Sequence, residues 1–224
     1  MDLRQGGCRQ VAGMTMMLMA SLLAACGHVE RPAANRPRSI AGPSERETRA
    51  CYADLAAMGV RFSPMVDHDA GTGCGWVGAV QLVDIGVPVT NVTALRCGEA
   101  RAFTGWVRGA VAPAAYQMLG SELARVEGMG SYACRNVIGS AAGANRRSGH
   151  AIANAVDVGG FVLKDGRRIT ILHDWSSPDP ATQRFLATIH ASACKRFGTV
   201  LSPAYNAAHA NHLHLDDDHA GMCR

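Results

Sequence analysis

The chain has 224 residues, 48% of them hydrophobic and 18% charged, with a formal net charge of +4. That composition is globular and long enough for one core, which excludes a collagenous or wholly disordered chain. The charge is too small to name a partner, and no run of Lys and Arg points to nucleic acid.

Residues 1–25 read as a targeting segment. Arg4 and Arg9 make a basic start, and Val11 to Ala25 is an apolar run too short to span a bilayer comfortably. It ends in Leu23-Ala24-Ala25-Cys26-Gly27, which resembles a bacterial lipobox. That resemblance implies a lipidated Cys26 and a membrane anchor on the periplasmic side of the envelope. Gly27 after the cysteine, where an Asp would stand for retention, implies the outer membrane. Residues 26–49 carry Pro32, Pro37 and Pro43 among polar residues with no apolar periodicity, the composition of a disordered tether.

A folded domain is expected over residues 50–224. It holds Cys51, Cys74, Cys97, Cys134, Cys194 and Cys223. Six cysteines behind an export signal read as three disulfides, and fifteen pairings are possible. Nearest-neighbour pairing, 51–74, 97–134 and 194–223, is preferred because each bridge would staple a separate region. A zinc–cysteine site has no Cys-x2-Cys spacing to support it.

Cys51 to Gly59 reads as a short helix stopped by its glycine. Trp76 to Val83 reads as a strand, and Val87 to Val92 as an extended edge containing Pro88. A longer helix is expected over Glu99 to Val126, broken near Gly109 to Pro113, with Tyr116, Leu119, Leu123 and Val126 as its core face. Ala155 to Leu163 and Arg168 to Leu172 read as strands joined by the turn Lys164-Asp165-Gly166-Arg167. Pro180 to Phe197 is a helix with Phe185, Leu186 and Ile189 inward, and Thr199 to Leu201 and His212 to Leu215 are the last strands. The class is α+β, an antiparallel sheet with flanking helices, stapled by disulfides.

Two stretches carry metal chemistry: Ser148-Gly149-His150 with Asp157, and His209-x2-His212-x-His214. Residues two apart on a strand share a face, roughly 6.6 Å apart, so His212 and His214 can look into one pocket. Seven helical residues would separate His150 from Asp157 by about 10.5 Å, so the chain must turn between them. Two imidazoles and a carboxylate with an open fourth position suit a catalytic zinc. In such a site His212 could carry the proton of a water and Arg135 could stabilise an oxyanion. Asp216 could orient a ligand imidazole. Ser148 lacks the glycines of a nucleophile elbow and reads as orienting the loop that presents His150. His68, His173, His190 and His219 read as structural.

Ser148-x-His150-x6-Asp157 with a later His-x-His resembles the zinc D-Ala-D-Ala metallopeptidase superfamily of peptidoglycan carboxypeptidases, murein endopeptidases and the hedgehog signalling domain. More closely, residues 50–224 resemble the bacterial extensin-like C-terminal domain family. The matching lines are Cys51-Tyr-Ala-Asp-Leu, Gly73-Cys74-Gly75, Gly130 to Arg135, Ser148 to Ala151, Phe161 to Gly166, Asp174-Trp175 and His209 to Asp216. The resemblance implies a hedgehog-like fold, zinc ligands His150, Asp157 and His214, and an endopeptidase-like His-x2-His-x-His in which His209 and His212 are catalytic. It implies a peptidase acting on peptidoglycan peptides. Carboxypeptidases of the superfamily carry a glutamate base three residues before the last ligand; Asn211 stands there in this chain. The alternative that follows is a non-catalytic cell-wall module with zinc as a staple.

Overall fold

The structure, a computed structural model, describes residues 40–224. The expected leader, Cys26 and the tether up to residue 39 lie outside the described residues. The first helix, α1 (Glu45–Ala57), starts well before Cys51. The Ser44 Oγ accepts from the Glu47 N–H at 3.3 Å and the Glu47 carboxylate accepts from the Ser44 N–H at 2.8 Å. This capping box starts a helix inside a stretch whose polar composition reads as tether.

Past α1 lie the short strands β1 (Arg61–Pro64), β2 (His68–Asp69), β3 (Gly75–Trp76), β4 (Ala79–Asp84), β5 (Val89–Thr90) and β6 (Leu95–Arg96). β4 lies between β1 and β6 in a three-stranded sheet, and β2 pairs with β3. The single strand expected from Trp76 is broken at Gly78, where a φ of 64° and a Cβ that would lie only 2.7 Å from the Thr48 hydroxyl favour glycine.

The helix α2 (Cys97–Trp106) passes through a π-helical turn, Val107–Val111, into α3 (Ala112–Leu119). The widened turn absorbs Pro113, which cannot continue a regular ladder. The helix expected to reach Val126 ends at Gly120, a left-handed cap. Leu123 and Val126 belong instead to β7 (Leu123–Gly130), and Tyr116 is exposed. A register shift between Leu123 and Arg125 turns both apolar residues inward, and so gives a strand a helix-like spacing.

Then come β8 (Ala155–Leu163), β9 (Arg168–Thr170), α4 (Ile171–Asp174), α5 (Pro180–Ala193), β10 (Thr199–Leu201), β11 (Leu213–Asp216) and β12 (Met222–Cys223). Thr170 ends the expected return strand early by capping α4 through its hydroxyl. The main sheet runs β12-β10-β11-β8-β7-β5, with β9 beside the second half of β8. It is mixed rather than antiparallel throughout, because β5 with β7 and β10 with β12 are parallel.

One face of this sheet packs on α2, α3 and α5. Val156 and Val158 of β8 and Leu213 and Leu215 of β11 share a core with Phe103, Trp106, Phe185 and Ile189. The Trp106 indole N–H donates to the Ile189 carbonyl at 2.9 Å, so its one polar group is satisfied. Each large side chain so buried contributes about 1.5–3 kcal/mol.

The disulfides are Cys51–Cys97, Cys74–Cys134 and Cys194–Cys223. Only the last follows nearest-neighbour order. α1 packs along α2, which sets Cys51 opposite Cys97, while β2 and β3 carry Cys74 to the loop after β7. Mass mapping of the unreduced domain is expected to give these three pairs. Breaking Cys74–Cys134 should cost about 2–5 kcal/mol of stability; recovery of a 51–74 peptide would refute the arrangement.

Glu99, in the first turn of α2, is fully buried, and its carboxylate oxygens make no full hydrogen bond. Burial, then the charges of Asp216 and Asp217, push its carboxyl well above the usual range; a weak contact from the Asp217 amide offsets little. A raised folded pKa means stability present at low pH is lost as pH rises from the unfolded value toward the folded one. Glu99→Gln is therefore expected to gain stability over wild type between pH 4 and pH 7.5, by several degrees of melting temperature. A pH-independent difference would show that Glu99 does not titrate in this range.

Candidate metal centre

The loop between β7 and β8 folds back on itself before it reaches the site. Ser148 N–H donates to the Arg135 carbonyl at 3.2 Å, Val137 N–H to Arg146 at 2.9 Å and Ala133 N–H to His150 at 3.2 Å. Ser148 then caps a 3₁₀ turn, Gly149–Ile152, its Oγ accepting from the His150 N–H. Ala153, at φ 55°, reverses the chain into β8. The required turn between His150 and Asp157 is thus one 3₁₀ turn and one left-handed residue. Gly149 is obligatory in it, since a Cβ there would lie 1.9 Å from the Asp216 carboxylate.

Val156 and Val158 point into the core, so Asp157 between them faces away. In the ladder Asp157 is paired with His214, whose neighbours Leu213 and Leu215 are likewise in the core. Cross-strand partners on one face are each other's nearest side chains.

His150 Nε2 lies 3.1 Å from Asp157 Oδ1 and 3.1 Å from His214 Nδ1, and His214 Nδ1 lies 2.9 Å from Asp157 Oδ1. The three donor atoms form a nearly equilateral triangle. Tetrahedral ligands about 2.0–2.1 Å from a zinc ion would stand roughly 3.3 Å apart, so the triangle fits the ion after a few tenths of an ångström of expansion. His150 Nδ1–H donates to the Ser131 carbonyl at 3.2 Å, which leaves Nε2 as a lone pair aimed into the triangle. Burial works to raise the Asp157 carboxyl, but the imidazoles of His150 and His214 outweigh it and hold it well below its usual range.

Around the triangle stand the other predicted residues. His212 Nε2 lies 3.5 Å from Asp157 Oδ1, and its Nδ1–H donates to Asn211 Oδ1 at 2.8 Å. His209 packs against the rings of His212 and His214 and its Nδ1–H donates to Asn206 Oδ1 at 2.7 Å. Burial pushes His209 down to about 4, helped by His212 and His214, and burial likewise lowers His212. Asp216 Oδ2 stands 3.9 Å from His214 Nε2, too far for a hydrogen bond, while its Oδ1 accepts from Asn154 at 2.9 Å. Arg135 lines the same cavity, and its charge is among those lowering His209 and His212. The cavity measures about 680 Å³.

Nothing in the sequence pattern marks Ser131, Asn154 and Asn206, which hold His150, Asp216 and His209. Ser131 acts through its backbone carbonyl, which no residue type advertises. A second group of donors, His190 with Cys194 and Cys223, has both sulfurs spent on a disulfide.

The sequence model of the family described as Extensin-like protein C-terminus matches residues 49–224, most of the chain. No curated protein and no solved structure matches it.

The triangle makes a specific prediction about metal. Zinc at a hundred times its dissociation constant should stabilise the domain by about 2.7 kcal/mol. Asp157→Asn and His214→Ala should abolish that stabilisation and lose bound zinc, whereas His212→Ala should keep near-stoichiometric metal. Elemental analysis and thermal melts check both. Equal loss in His212→Ala and His214→Ala would make His212 a ligand.

Proposed function

We propose that this chain, which belongs to the Extensin-like protein C-terminus family, is a zinc-dependent peptidase acting on peptidoglycan stem peptides or their cross-links in the cell envelope. The resemblance to the zinc D-Ala-D-Ala metallopeptidases belongs to this reading. The observation that carries it is the convergence of three lone pairs, from His150, Asp157 and His214, at the wall of an open cavity. Such a convergence suits a cation, and it leaves one side free for substrate. Three disulfides fit an exported protein in an oxidising compartment. The lipobox at Cys26 adds an anchor, and with it the outer membrane as the address.

His150, Asp157 and His214 would hold the ion. Zinc, when bound, supplies Lewis acidity, polarising a carbonyl and making water nucleophilic near neutral pH. The rest is work for the chain's own side chains. His212 is held by Asn211 with its Nδ1–H donated, so Nε2 presents the lone pair that accepts a proton. The same nitrogen, once protonated, is placed to return that proton to a leaving amine. Arg135, with no carboxylate partner among the described residues, is free to meet a developing negative charge. Asn211 thus has a role of its own: it sets the tautomer of His212, which serves as the base where carboxypeptidases of the superfamily use a glutamate.

Asn211 also favours the second reading, in which the domain is a non-catalytic zinc-stabilised wall-binding module, because no carboxylate base stands at that position. Digestion of purified muropeptides separates the two. Zinc-loaded protein should cleave, chelated protein should not, and His212→Ala should lose about 10²–10⁴-fold in rate while retaining zinc. Wild type that binds zinc and muropeptides but never cleaves them would establish the binding module.

A further inference from the structure

The face of the sheet that carries the triangle extends beyond it on both sides. Toward β10, the 680 Å³ cavity runs over Thr199 and Leu201 and is walled by the loop that carries Arg135, Arg146 and Arg147. Toward β9, a second depression of about 400 Å³ lies over Gly159, between Glu127 and Met129 of β7 and Arg168 and Thr170 of β9. Gly159 follows Asp157 by two residues on β8, hence on the same face and roughly 6.6 Å along. Asn211 borders the second depression and the adjoining His212 lines the first. The candidate metal centre therefore stands part-way along a groove rather than at the end of one.

The charges on the two sides differ. On the β9 side Arg168 donates to the Glu127 carboxylate at 2.6 Å, so its charge is already matched. A site that trims a terminal residue needs an uncommitted cation on a short, blocked side. The β9 side holds no such cation among the described residues, and the β10 side, which holds them, is long and open. On the β10 side Arg147 donates to the Thr72 carbonyl and to Asn136 Oδ1. Arg135 reaches only the Asn136 carbonyl, and Arg146 is exposed with no side-chain hydrogen bond among the described residues. None of the three is ion-paired there. The cavity's volume lies within the roughly 300–1,000 Å³ of sites that take drug-sized ligands. That is room for several residues of an acidic peptide.

Resting on the peptidase reading, we infer that the substrate is a peptide continuing on both sides of the reacting bond, namely a bridge joining two stem peptides, and that cleavage is internal. The acidic stem lies along the arginine wall, and the partner strand crosses Gly159 by displacing the flexible Met129 side chain that rests on it. Hydrolysis adds one water across the amide, giving a carboxylate on one stem and an amine on the other.

The test compares two peptides: a cross-linked dimer of stem peptides, and a monomeric stem ending in a free carboxylate. Products are read by mass spectrometry with zinc-loaded protein, and binding by calorimetry with metal-free protein. Cleavage of the dimer should exceed that of the monomer at least 100-fold in kcat/KM, and amidating the monomer's terminal carboxylate should change its binding less than threefold. Met129→Trp, which narrows the β9 side without touching the sheet backbone, should weaken binding of the dimer at least tenfold and leave the monomer unchanged. Gly159→Leu should do the same if it folds. Trimming of the monomer as fast as the dimer, or loss of its binding on amidation, overturns internal cleavage and leaves the peptidase reading intact. If neither peptide is cut, the peptidase reading fails and the groove is judged on binding: tenfold preference for the dimer sustains it, and equal affinity overturns it.

Discussion

The register of β11 against β8 is the constraint on which the site depends. Asp157 and His214 meet because they are paired in that ladder, and they face away from the core because Val156, Val158, Leu213 and Leu215 face into it. A slip of β11 by one residue would turn His214 and Asp216 into the core and Leu213 and Leu215 out of it. Hydrophobic burial thus sets the geometry of the donors, although none of the buried groups touches them. The electrostatics then run in the donors' favour. A carboxylate this far from water would tend to take up a proton, yet the imidazoles beside it hold it ionised.

The third donor reaches the triangle by a different route. His150 comes from a loop, and loops hold a side chain only as firmly as they are themselves held. Here the loop's backbone pairs across itself at 133 with 150, 135 with 148 and 137 with 146. Cys134 is bonded to Cys74, and the Ser131 carbonyl holds the His150 ring. Ring orientation, loop closure and covalent cross-link lie within a few residues of one another. Of the two bridges that depart from nearest-neighbour order, one lies beside the site.

Much of this was legible from residue types. The apolar run Ala155 to Leu163 marked β8 to its ends, and the seven-residue separation of His150 and Asp157 required the turn that the chain makes. What escaped had physical reasons. A register shift gave Leu123 and Val126 a helical spacing inside a strand. Two parallel strand pairs, β5 with β7 and β10 with β12, are short and formed across long sequence separations, so no local pattern announces them. The tautomer of His212 depends on which way Asn211 points, and that of His150 on a backbone carbonyl. Hydrogen bonds of that kind leave no mark on composition.

The last strand has a consequence for the edge of the sheet. β12 is two residues long, lies parallel on β10 at the edge of the sheet, and is bonded through Cys223 to the end of α5. An open β10 edge would present unpaired N–H and C=O groups to any extended chain, a template for β-addition. β12 occupies that place and is held there by the disulfide. The β10 edge is thereby closed to added strands, and the rim left open on that side is the two residues of β12.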